Sequence, residues 1–143
     1  MKRKMIQIVC LVIMTMVFCS GVSFAAFWDA KPTIVTTIYP LYEFTKQVVG
    51  DKAEVVLLVP AGAEPHDWEP APQNLVTVQN AKLFIYVGAG MEPWIEAMGN
   101  SVLAGKKVVR AADYVNLLPA QYDEEGAPAA DGAIDPHIWL DPV

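Results

Sequence analysis

The chain has 143 residues, 54% of them apolar, and a formal net charge of −6. That length suits about one domain, and so acidic a balance argues against nucleic acid, which selects basic patches. It suits a cationic partner, although acidic surface also serves solubility.

The chain opens with "MKRKMIQIVCLVIMTMVFCSGVSFAAF". Lys2, Arg3 and Lys4 precede an apolar run from Met5 to Phe18, and small residues lead to Ala25. This order is that of a secretory signal peptide over residues 1–25, with Ser23 and Ala25 suiting the cleavage rule. A membrane span needs roughly 20 apolar residues, and this run is shorter, with Gln7 and Thr15 inside it. Acylation at Cys19 would need a small preceding residue, and Phe18 stands there. The protein is therefore expected to be exported, to the periplasm or the cell surface. Cleavage removes three cations, so −6 becomes −9, and it removes both cysteines, Cys10 and Cys19. The remaining chain must rely on its core or on ligands rather than disulfides.

Strand and helix patterns then alternate. "TIVTTIY" (33–39) reads as a buried strand ended by Pro40. "LYEFTKQVVG" follows as a helix with Leu41, Phe44, Val48 and Val49 on one face and Gly50 as its stop. "AEVVLLV" (53–59) is a second strand, and a loop containing His66 comes next. "PQNLVTVQNA" predicts a short helix from Pro72, with Leu75, Val76 and Gln79 on one side. "KLFIYVG" (82–88) is a third strand, "MEPWIEAMGNS" a helix with Pro93 in its first turn, and "KKVVRA" (106–111) a fourth strand. The stretch "LLPAQYDEEGAPAADGAID" reads as an exposed, mobile acidic loop. His137 to Leu140 is expected to form a further strand, and Asp141-Pro142 to open a helix with Asp as N-cap and Pro at the first helical position. Strands apolar throughout, alternating with helices, predict an α/β fold: a parallel sheet of about four strands with flanking helices. Residues 26–143 are read as the front lobe of a longer protein, truncated before that last helix.

Only two histidines are present. His66 lies in "AEPHDWEPAP" and His137 in "DPHIWLDP", each after a proline and two residues before a tryptophan. Neutral imidazole is a common transition-metal ligand. Flanking prolines limit the entropy lost when an ion fixes the loop. Asp67, Glu69, Asp135 and Asp141 are nearby carboxylates able to ligate or to hold the second ring nitrogen. From residue type alone, a histidine in a Pro-rich loop is more often a surface residue than a ligand. Trp68, Trp94 and Trp139 read as core or loop anchors, Glu64 and Asp67 as solvated acids, and "GAG" (88–90) as a turn.

Two pieces carry a family resemblance: the stretch from "PTIVTTIYPLYEF" to "MEPWIEAM", and "DPHIWLDP". They resemble the metal-binding receptors of ABC-type zinc and manganese importers. The resemblance runs from about Pro32 to Pro142. It implies a receptor with two α/β lobes joined by a long helix and the metal held between them. His66 matches the first ligand, in a Pro-His-x-x-Glu-x-x-Pro-like loop. His137 matches the second, in an Asp-Pro-His-x-Trp-Leu-x-Pro segment. The remaining ligands, another histidine and a carboxylate, would come from a second lobe beyond this sequence. Zinc prefers four ligands, so two of four are expected here. Zinc-specific relatives often carry a histidine-rich loop where this chain has acids and no histidine.

The resemblance implies a binding module that captures Zn²⁺, or alternatively Mn²⁺, for a membrane permease of an ABC importer. Alternative readings are a metal-dependent extracellular hydrolase, for which no general base is evident, a surface adhesin, and a non-functional gene fragment.

Overall fold

The computed structural model describes residues 30–98, 101–123 and 125–140. The predicted signal segment, Cys10, Cys19 and the expected helix start at Asp141 lie outside them. Among the described residues no helix is long and apolar enough to cross a membrane.

β-branched runs form the sheet, as their stiff side chains favour pleated, packed surfaces. β1 is Thr33–Thr36, β2 Glu54–Leu57, β3 Leu83–Tyr86 and β4 Lys107–Arg110. All pairings are parallel, in the order β2-β1-β3-β4. The four predicted strands are all present, each shorter than its apolar run. Three helices connect them: α1 (Tyr39–Val49), α2 (Pro72–Asn80) and α3 (Pro93–Met98). Pro40 lies in the first turn of α1, where its missing N–H costs nothing. Gly50 ends α1 at φ 52°, its N–H donating to the Lys46 carbonyl. In α2, Asn74 Oδ1 reaches back to the Ala71 N–H at 2.9 Å.

One buried cluster joins Val35, Leu58, Val78, Phe84, Trp94 and Ile95. A second joins Ile38, Val59, Val87 and Met91 at the carboxyl end of the strands. Full burial of each such side chain contributes about 1.5–3 kcal/mol. Two helix faces differ from expectation. In α1 the buried residue is Thr45, while Phe44 is 54% and Val48 85% exposed. In α2 the buried residue is Val78, and Gln79 faces solvent. The acidic loop is exposed, but paired rather than unstructured. Isolated antiparallel bridges join Pro119 to Ile134 and Tyr122 to Pro128, and Asp123 Oδ1 accepts the Ala127 N–H at 2.7 Å.

Strand order fixes where a ligand would lie. The chain leaves β1 toward β2 on one side and β3 toward β4 on the other. The carboxyl ends of β1 and β3 therefore flank a topological switch point, where open α/β sheets form their ligand crevice.

Candidate metal centre

Both histidine loops reach this rim. The His66 loop follows β2 through buried Leu58 and Val59 and turns at Pro60, whose carbonyl accepts the Ala63 N–H at 3.1 Å. Trp68, two residues past His66, packs against both buried clusters, its ring 5.9 Å from that of Trp94. His137 precedes a 3-10 turn, Ile138–Leu140, whose Ile138 and Trp139 pack against the second cluster. Each tryptophan thus roots its histidine loop in the core, as expected of loop anchors.

The expected strand at His137–Leu140 is not formed. Asp135 explains the difference: its Oδ1 accepts the His137 backbone N–H at 2.9 Å, and the Leu140 N–H bonds to the His137 carbonyl at 3.0 Å. An Asp side chain that captures a backbone N–H two residues on draws the chain into a turn.

The two imidazoles meet edge to face, with ring centres 6.0 Å apart and planes at 61°. Two imidazoles on one tetrahedral ion, each bonded at about 2 Å, have ring centres roughly 5 Å apart. The observed spacing is therefore close to that of a shared ion. His66 is half-buried and His137 more exposed. Both line a cleft of about 1040 Å³, together with Ala89, Gly90 and residues of the acidic loop. Among the described residues, no group of three or more His, Cys, Asp or Glu side chains is arranged to hold an ion.

The nearby carboxylates separate by role. Asp67 and Glu69 are exposed, as is Glu64. Asp135 Oδ1 also lies 2.7 Å from His137 Nδ1. With Nδ1 as donor, the Nε2 lone pair is presented for coordination. The bonds from the His137 backbone and then its ring hold the Asp135 carboxyl below its ordinary value.

One functional candidate escaped the sequence reading. Glu92 is buried beside this rim, at 3% exposure. Its carboxylate accepts the Thr37 hydroxyl at 2.5 Å and the Val87 and Gly88 N–H groups at 2.9 Å each. Burial pushes its carboxyl above the ordinary range, while those bonds and the nearness of His66 act against that. The signal available was an acid set directly before Pro93 and between apolar Met91 and Trp94. The "GAG" stretch is a turn, as expected, with φ of 80°, 55° and 90° at Gly88, Ala89 and Gly90. At Gly88 a Cβ would meet Arg110 Nε at 2.3 Å.

Comparison with known proteins adds a lineage. A family model described as zinc-uptake complex component A, periplasmic, matches residues 34–143. The chain is 42% identical over 119 residues to the high-affinity zinc uptake system protein ZnuA of Bacillus subtilis, covering 79% of this chain and 37% of that protein. It is 39% identical over 149 aligned positions to the zinc-binding lipoprotein AdcA of Streptococcus pneumoniae, covering 100% of this chain and 29% of that one. The Zn(II)-bound ZnuA-like domain of Streptococcus pneumoniae AdcA superposes with a TM-score of 0.64 at 41% identity, over 79% of this chain and 39% of that structure. The chain therefore spans less than two fifths of each of these proteins.

Proposed function

Because the chain belongs to the zinc-uptake complex component A family, we propose that it is the front lobe of an exported receptor that captures a divalent transition metal for an ABC importer. Zinc is the first candidate and manganese the alternative. Histidine suits zinc, whereas carboxylate-rich sites suit manganese. No bond is made or broken in this role, and the protein is not an enzyme. The cargo is held and then released to a membrane permease.

One observation carries the reading: imidazoles from two loops far apart in sequence meet with ring centres 6.0 Å apart. They do so at the switch point of an open parallel sheet. His66 and His137 serve as neutral nitrogen ligands, and a second lobe completes the tetrahedron that zinc favours. Asp135 supports this by engaging His137 Nδ1. Imidazole must be unprotonated to ligate, so protons compete with the metal for the ring nitrogens and capture weakens in acid.

Calorimetric zinc titration tests the proposal. The wild-type chain should bind zinc, and His66→Ala and His137→Ala should each weaken binding at least about tenfold, since every ligand contributes to the affinity. A His66→Ala chain with wild-type affinity removes His66 from the site.

A further inference from the structure

Glu92 is buried and ionisable, and both of its carboxylate oxygens accept hydrogen bonds from the protein. Its partners define its place. Thr37 directly follows β1, and Val87 and Gly88 directly follow β3. These two strands are neighbours in the sheet, and their connections leave in opposite directions. The last backbone bond between them runs from the Thr37 N–H to the Ile85 carbonyl at 3.2 Å. Beyond it the two chain segments diverge, and the Glu92 carboxylate bridges them. Oε1 accepts from Thr37 Oγ1 and the Val87 N–H, and Oε2 accepts from the Gly88 N–H.

The bridged segment then enters an unusual turn. Gly88, Ala89 and Gly90 are all left-handed, and Ala89 is the only non-glycine described residue with positive φ. Alanine avoids that region because its Cβ crowds the following carbonyl oxygen. A turn of this kind persists where its surroundings over-determine it. Ala89 and Gly90 line the cleft that His66 and His137 share.

We propose that Glu92 is a positioning residue for the metal site. By tying the ends of β1 and β3 together it fixes the 88–90 turn, and that turn sets the wall against which the two imidazoles meet. The link to metal rests on the receptor reading above, whereas the link to imidazole geometry belongs to the metal-free chain itself. The carboxylate is well suited to the task. It carries acceptors only, and charge-assisted bonds to buried N–H and O–H donors are the stronger kind.

The test uses the full chain with two readouts: imidazole nitrogen NMR signals of the metal-free protein, and zinc affinity by calorimetry. Glu92→Gln keeps the shape but replaces one acceptor oxygen with a donor. It should shift the His66 ring signals and weaken zinc binding about tenfold, in the range found for groups that orient ligands. Thr37→Val should do the same to a smaller degree, and Thr37→Ser should restore both readouts. Val78→Ala, in the core away from the turn, should lower the melting temperature yet leave ring signals and affinity as in the wild type. Wild-type ring signals and affinity in Glu92→Gln overturn the proposal, as do equal losses in a Val78→Ala chain of matched melting temperature. If Glu92→Gln does not fold, the threonine pair decides. Loss in Thr37→Val with rescue in Thr37→Ser supports the clamp, and an unchanged Thr37→Val refutes it. If the wild-type chain binds no zinc, the receptor reading fails, while the ring signals still decide the positioning role.

Discussion

Asp135 makes two bonds to one neighbour, and both bear on His137. Its Oδ1 takes the backbone N–H at 2.9 Å and faces the ring Nδ1 at 2.7 Å. Loss of such an orienting carboxylate lowers metal affinity about 10- to 100-fold in other sites, so Asp135→Asn should fall in that range by calorimetry. The same bonds keep the Asp135 carboxyl below its ordinary value of 3.8. A carboxyl depressed in the folded state stabilises above the unfolded value, and that stability is lost as pH falls through the folded value. Melting temperatures of the metal-free chain measured below pH 3.8 should therefore drop more steeply for the wild type than for Asp135→Asn. At this scale the tryptophan anchors were legible in the sequence, whereas the histidines stood out through the family resemblance, since residue type alone reads them as surface. Glu92 was not legible. An acid before a helix proline ordinarily faces water, and only the meeting of β1 and β3 buries this one.

Secondary elements followed from pattern more closely than their orientations did. Every predicted connecting helix is present, yet α1 is turned relative to its expected stripe. It begins at Tyr39, directly after buried Ile38, and that residue sets the phase. Ile38, Leu41, Tyr42, Thr45 and Val49 lie three and four positions apart and run down the inner side. A polar Thr45 on the buried face and apolar Phe44 and Val48 outside defeat hydrophobic periodicity as a guide. Val48→Glu should then change unfolding free energy by no more than about 0.5 kcal/mol, as exposed substitutions do. Val78→Ala, at a fully buried site in α2, should cost about 2 kcal/mol through its cavity. Denaturant melts of the two variants check the contrast. The His137 segment failed as a strand for a similar reason. Ile138, Trp139 and Leu140 have strand-like composition, but Asp135 captures the backbone before any ladder forms.

For the molecule as a whole, alternating apolar and amphipathic segments announced a parallel α/β sheet, and the sheet has that form. The order β2-β1-β3-β4 was not readable, because short connections permit either direction of travel. That order matters most, since it creates the switch point at which both histidine loops arrive. An ion held there binds the folded state alone, so excess zinc should raise the melting temperature. At a free concentration of 100 times Kd the linkage is worth about 2.7 kcal/mol, and scanning calorimetry with and without zinc reads it. His66→Ala should show a smaller rise at the same zinc concentration. The tryptophan behind His137 offers a simpler view of the same event. Trp139 lies edge-on to that ring with centres 5.3 Å apart, so any cation drawn to the imidazole alters the electric surroundings of the indole. Tryptophan emission recorded without a label during a zinc titration should therefore change as the ion is added, and an unchanged spectrum would count against an ion beside His137.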